Sequence, residues 1–196
     1  MAHISSIGAG LFTDLSVAAP TTDLTASAIA ALDTAAEFQA LFGTEIQSVG
    51  GTKSTATYVR IKNVREFPSI GTPPNIVNVP VYGSKTSQQV QGQSDAPSVE
   101  LTINFVPADW ASGSVLGGMV GDGVQRVFRF SLLNSEPASY DTGGTGKIGA
   151  VPNSQWFFVG KIEALLVSPQ LTDANTATVT ISVQSAFFGA YTESPT

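Results

Sequence analysis

Two stretches of this chain alternate so regularly that only a β-sheet accommodates them, and their second faces carry hydroxyls and amides where a solvent face usually carries charge. From Ser98 to Phe105, the residues Val99, Leu101, Ile103 and Phe105 fall on one side and Ser98, Glu100, Thr102 and Asn104 on the other. From Thr176 to Ser185, one side is Ala177, Val179, Ile181 and Val183, and the other is Thr178, Thr180, Ser182 and Gln184. Neither second face can sit in a core. A sheet surface that is wet but nearly uncharged suits a wall that something passes without sticking.

Composition points the same way. Only 12% of the 196 residues are charged, while the mean hydropathy is +0.17; soluble proteins carry about 25% charge. Such a surface fits a subunit whose outside is largely a neighbour's interface, since obligate interfaces resemble a core cut in half. A small, weakly charged β domain is the plainer alternative. There is no cysteine, so neither disulfides nor thiolate metal sites support the fold. No basic residue precedes an apolar run at the start, and no stretch reaches the roughly 18 apolar residues of a membrane helix; Lys161 and Glu163 interrupt the nearest one. The reading is of a soluble protein without a secretory signal or direct membrane insertion.

The net charge of −6 argues against gripping nucleic acid through its phosphates. It is unevenly spread. Asp14, Asp23 and Asp33 lie in the acidic first part, ahead of Lys53, Arg60, Lys62 and Arg65. These groups are candidates for pairing between neighbouring subunits, with two ordinary solvated faces as the alternative.

The expected fold is mainly β: a β-sandwich or barrel with a short packed helix, a long hairpin loop and a helix-containing N-terminal arm. Residues 1–56 form the arm, 57–190 the β domain and 191–196 a tail. One helix is expected over 26–42, with Ile29, Leu32, Ala36 and Leu41 on a stripe, Asp23 or Thr25 as cap and Gly43 at the exit. Strands are expected at Ile76 to Tyr82, with Pro80 at an edge or bulge, and at Gln125 to Leu132, Trp156 to Val167 and Thr176 to Ser185. The polar run Ser84 to Asp95 reads as the projecting loop of a long hairpin. Asp109 is placed to cap a short helix carrying Trp110, Leu116, Met119 and Val120, and the Gly-rich and Pro-rich segment Asn134 to Ser154 reads as a long loop.

No catalytic set assembles from the sequence. His3 is the single histidine and has no nucleophile in view. Asp141-Thr142-Gly143 lacks the apolar flanks of a protease dyad, and Gly144-Thr145-Gly146-Lys147 has neither the upstream glycine nor the hydroxyl residue of a phosphate loop. No metal-ligand spacing is present. The reading is therefore a non-enzyme with no cofactor.

The order of features resembles a known family. A strand pair with a polar hairpin loop is followed by Gln91-Gly92-Gln93-Ser94-Asp95-Ala96-Pro97-Ser98-Val99-Glu100-Leu101-Thr102-Ile103-Asn104-Phe105, Asp109-Trp110 and Val115-Leu116-Gly117-Gly118-Met119. Then come Arg126-Val127-Phe128-Arg129-Phe130, Trp156-Phe157-Phe158-Val159-Gly160-Lys161-Ile162 and Thr178-Val179-Thr180-Ile181-Ser182-Val183. From about Thr57 to Gly189 this is similar to the major tail tube proteins of long, flexible-tailed bacteriophages, in order and texture and without an invariant chemical motif. The resemblance implies hexameric rings stacked into a tube, a tape-measure protein in the lumen, and tail terminator and tail tip proteins as partners. It further implies viral DNA in transit through the lumen, assembly in the host cytoplasm and residence in the virion tail.

On that footing Glu100, Thr102, Asn104, Thr178, Thr180, Ser182 and Gln184 are candidates for an acidic or neutral bore lining. The residues Ser84, Lys85, Gln88, Gln89, Gln91, Gln93 and Asp95 are candidates for an inter-ring contact loop. Two alternatives stay open: a carbohydrate- or receptor-binding β-sandwich with Trp156, Tyr82 or Tyr140 as its platform, and the tube protein of a contractile secretion system.

Overall fold

A computed structural model describes residues 13–18, 25–42, 44–45, 57–71, 76–83, 85–92, 98–132 and 154–192. In chain order the elements are β1 (Asp14–Ala18), α1 (Ala26–Ala30), α2 (Ala35–Ala40), β2 (Thr44–Glu45), β3 (Thr57–Arg60), β4 (Val64–Glu66), β5 (Ile76–Val79) and β6 (Gln88–Gln91). They continue as β7 (Ser98–Asn104), α3 (Pro107–Trp110), a 3-10 turn at Gly117–Met119, β8 (Arg126–Leu132), β9 (Ser154–Ser168), β10 (Thr176–Val183) and β11 (Phe188–Thr192). The protein is mainly β, as its alternating stretches require.

The main sheet runs β2-β3-β1-β8-β9-β10-β7-β4, with β11 added to β9. Its path closes, because β3 and β4 are consecutive in the chain. The amide of Ile61 donates to Leu15 O at 2.9 Å and that of Asn104 to Asn63 O at 2.8 Å, so one kinked segment pairs with β1 at its start and with β7 at its end. Asn63 makes the kink at φ 61°, in the left-handed region that asparagine tolerates better than most side chains. Closing the sheet leaves fewer open edges to aggregate.

Inside lie Leu15, Val17, Val59, Ile61, Val99, Leu101, Ile103, Phe128, Phe158, Ile162, Val179 and Ile181, with Trp110, Leu116 and Met119 plugging the interior from the segment after β7. That segment is shorter than the helix expected from Asp109. Pro107 stands in the first turn of α3, Val106 precedes it without a side-chain cap, and Gly117–Met119 forms a separate 3-10 turn. Gly160 lets β9 and β10 approach: a Cβ there would lie 2.7 Å from Ser182 O and 3.2 Å from Ile181 Cγ2. Gly160→Ala is expected to cost about 1–3 kcal/mol as an overpacking change, read as a lowered urea midpoint at unchanged slope; an unmoved midpoint would contradict this contact.

A second core forms outside the barrel, where Phe38 and Phe42 meet Tyr58, Val127, Phe157 and Val159. The single helix expected over 26–42 is in fact two. Thr25 caps α1 by accepting from Ala28 N at 3.2 Å, the helix ends at Ala31, and Thr34 begins α2 with a full capping box. A threonine three residues before a glutamate competes with helix continuation by satisfying the amides of a new start. The buried positions follow from the break: Phe38 is fully buried, while Ala36, expected on the apolar stripe, is exposed.

The Glu37 carboxylate accepts from the amide of Asp33 at 3.1 Å, the hydroxyl of Thr34 at 2.9 Å and the amide of Thr34 at 3.0 Å. These bonds, the Asp33 amide foremost, pull its pKa from the usual carboxylate value to about 2. A depressed folded pKa means the cap's contribution is complete above the unfolded value and is lost as pH falls from there to about 2. The Glu37 side-chain carboxyl resonance should therefore titrate with a midpoint near 2. A midpoint at the ordinary carboxylate value would refute the capping box.

Two further differences from the sequence expectation concern the arm and the hairpin. β1 belongs by sequence position to the arm, yet it is a fully buried barrel strand between β3 and β8. The run from Ser84 to Asp95 is not loop throughout: β6 lies within it and pairs with β5 as a separate two-stranded sheet. The expected strand over Ile76 to Tyr82 stops at Val79, directly before Pro80, which has no amide to donate to a ladder.

Candidate functional site

The polar faces read from the sequence meet on one surface. Cross-strand pairing sets Thr178 opposite Thr102, Thr180 opposite Glu100, Ser182 opposite Ser98 and Thr176 opposite Asn104. Gln184 follows the end of β10 and its side-chain amide donates to Ser182 Oγ at 3.3 Å. All seven candidate lining residues thus share the outer face of the β7–β10 pair, while Val99, Leu101, Ile103, Val179 and Ile181 point into the barrel.

β9 extends this face with residues that the sequence treated only as breaks in an apolar run. Lys161 stands opposite Ser182 and, after a bulge, Ala164 stands opposite Thr180 and Leu166 opposite Thr178. Glu163 is the extra residue of the bulge. Its carboxylate accepts from Ser182 Oγ at 2.7 Å and pairs with Lys161 Nζ at 3.0 Å. The Ser182 hydroxyl first, and then Lys161, hold the Glu163 carboxyl below the usual carboxylate range. The one cation on the face is thereby matched. With Glu100 and Glu163 against Lys161, the three strands present one net negative charge among hydroxyl and amide groups, with Ala164 and Leu166 as the apolar members of the face. The missed signal was parity: Lys161 alternates with Phe158 and Ile162, so it had to emerge beside the polar side of β10.

The β5–β6 hairpin gathers Lys85, Gln88 and Gln89 in exposed positions, and Gln91 pairs with Ile76 at its base. Ser84, Gln93 and Asp95 lie outside the described residues. The hairpin also exposes Val77, Val79 and Val90 on one face, with Val77 directly opposite Val90.

Of the charged residues put forward for pairing, Asp14 and Arg60 meet, and they do so within one chain. Arg60 Nε donates to Asp14 Oδ1 at 2.7 Å and Ser16 Oγ donates to Asp14 Oδ2 at 2.6 Å. Asp33 and Arg65 are exposed, Lys62 is half-buried, and Asp23 and Lys53 lie outside the described residues. A depression of about 320 Å³ beside the kink is lined by Asp14, Arg60, Lys62, Asn63 and Phe67. Both oxygens of its carboxylate are committed to Arg60 and Ser16, which suits a structural role.

No group of three or more His, Asp or Glu side chains suited to a metal ion occurs among the described residues. His3, Asp141-Thr142-Gly143 and the glycines of 144–147 lie outside them. No helix among the described residues is long and apolar enough to cross a membrane. Of the aromatic platform considered for a carbohydrate-binding module, Trp156 tilts on Phe130 at 5.9 Å and packs against the barrel core, and Tyr140 lies outside the described residues. Tyr82 alone stands exposed.

No family model and no curated protein matches the chain. Among solved structures, it is similar to the sheath/tube terminator, in the extended state, of an extracellular contractile injection system (PVC). The TM-score is 0.44 and the identity 13%, over 66% of this chain and 86% of that one. It is also similar to the tube-terminating cap of the anti-feeding prophage, with a TM-score of 0.39 and 14% identity over 72% of this chain and 83% of that one. One is described as a sheath/tube terminator and the other as a tube-terminating cap, whereas the resemblance read from the sequence is to tube subunits of flexible tails. At this level of likeness a shared role does not follow.

Proposed function

We propose that this protein is a structural subunit that self-assembles into rings, six-membered as the sequence resemblance implies, and that the rings stack into a hollow tail tube conducting viral DNA. The observation that carries the reading is the outer face of β7, β10 and the second half of β9. It is a mainly polar sheet surface, broken by Ala164 and Leu166, with one matched cation and a single net negative charge. Ordinary soluble surfaces intersperse many charges of both signs, whereas a bore lining must offer polyanions nothing to hold.

The function is geometric: subunit contacts set the bore, and the lining stays chemically quiet. Tape-measure, terminator and tip proteins are the partners the resemblance implies, and the virion tail is the implied location. The tube protein of a contractile secretion system is the second reading.

Electron microscopy of the purified protein tests assembly, with hollow rods of uniform width as the expected result and dispersed monomers at every concentration as the refuting one. The lining is tested by Thr180→Lys, which introduces about six ammonium groups per ring. That number of phosphate contacts produces steeply salt-dependent DNA retention. Rods of the variant should hold DNA at low salt and release it as salt rises, while wild-type rods hold none. Equal behaviour of the two would remove Thr180 from the bore.

A further inference from the structure

Nearly all of the large apolar side chains exposed among the described residues belong to two hairpins. The β5–β6 hairpin exposes Ile76, Val77, Val79, Val81, Tyr82 and Val90, and the β9–β10 hairpin exposes Leu166, Val167 and Leu171. Val90 is 52% exposed, and Leu171 at 105% is as open as in an extended chain. Soluble monomers scatter such residues singly, and their concentration at two projecting turns marks contact surfaces.

The β5–β6 hairpin needs a partner in its own right. It forms a sheet of only two strands, and such ribbons are marginal in water unless a further layer covers their apolar face. The pairing Val77 with Val90 and Val79 with Gln88 puts three valines and Gln88 on one face, while Ile76, Asn78 and Gln89 lie on the other.

Charge identifies the occupant. From 76 to 92 the only charged residue is Lys85, and from 164 to 175 the only one is Asp173. Each hairpin therefore joins one apolar patch to one charge, and the two charges are opposite in sign. Two like copies of either hairpin would set equal charges together, whereas the two different hairpins complement each other. We infer that the valine face of the β5–β6 hairpin docks on the β9–β10 turn of a second copy, with Lys85 facing Asp173 and Val90 near Leu171. Because the two surfaces differ, the contact is head-to-tail and propagates without closing on a pair. This inference rests on the self-assembly proposed above and names the surface that receives the hairpin.

The chain has no cysteine, so Val90→Cys with Leu171→Cys gives a clean cross-linking test. Oxidised rods of the double variant should run as a ladder of covalent multimers under non-reducing denaturing conditions. The pair Asn78→Cys with Leu171→Cys, which moves the thiol to the polar face, should give far less. Rods without a ladder, a ladder equal for Asn78, or a cross-link within one chain would overturn the docking while leaving assembly intact. Absence of rods in the wild type would overturn the assembly reading and this contact with it.

Charge reversal supplies a second readout independent of the cysteines. Lys85→Asp alone should raise the critical concentration for assembly roughly threefold, the scale of a rim ion pair. Adding Asp173→Lys should restore it. A double variant as impaired as the sum of its single changes would count against the pairing.

Discussion

Replacing Phe157 by alanine is expected to destabilise the protein by about 3–5 kcal/mol, the usual cost of emptying a buried aromatic site. Phe157 is fully buried on the outer face of β9. Its ring stacks on Phe38 at 5.0 Å and 12°, and lies 5.9 Å from Phe42 and 6.0 Å from Tyr191. Its neighbour Phe158 points the opposite way and stacks on Phe128 inside the barrel at 5.1 Å and 8°. Adjacent phenylalanines thus serve separate cores, and their losses should differ in kind. Phe157→Ala removes the platform on which α2 rests, so chymotryptic cleavage near Phe38 should accelerate before the barrel opens. With Phe158→Ala, cleavage there should follow global unfolding. Denaturant titration measures the cost, and a loss below about 1 kcal/mol with unchanged cleavage would show that the helices are held elsewhere.

The two cores explain what the sequence could and could not disclose. Where one side of a strand faces the barrel interior and the other faces outward unpacked, period two is clean, and β7 and β10 were legible to within two residues at each end. β8 is buried on both sides, since Phe128 lies in the barrel while Val127 and Arg129 lie under the helices. Arg129 sits with its guanidinium 4.4 Å from the Phe42 ring centroid and 4.8 Å from that of Tyr58. A buried arginine between aromatic rings leaves no mark in an alternation pattern. In β9 the bulge at Glu163 changes which parity faces inward, so Leu165 packs on the core and Leu166 emerges. The kinked closing segment depends on Asn63 taking a left-handed conformation, which one asparagine among many does not announce. The strand at Gln88–Gln91 was hidden by its glutamines, because polar composition alone cannot tell an exposed ribbon from a loop.

Charge was legible as pattern but not as partnership, and the expected behaviour of Asp14 makes the point. Asp14→Ala is expected to cost about 3 kcal/mol, at the lower end of the range for breaking a buried ion pair. Asp14 is 2% exposed and Arg60 19%. The alanine leaves Arg60 without the carboxylate at 2.7 Å and the Ser16 hydroxyl without its acceptor at 2.6 Å. Much of that cost is the penalty of withdrawing one partner from a largely desolvated contact and not a large net value of the pair. The double variant Asp14→Ala with Arg60→Met should therefore recover more than half of the loss, because an apolar side chain of similar length needs no counter-ion there. Were the same charges joined chiefly across a subunit boundary, the effect of Asp14→Ala would grow with protein concentration as assembly set in. The intramolecular bond predicts a loss that is equal in dilute monomer and in assembled protein, and that changes little with salt because the carboxylate is shielded from solvent. Unfolding followed at two protein concentrations and two ionic strengths separates the cases, and a concentration-dependent loss would return Asp14 to the interface between subunits.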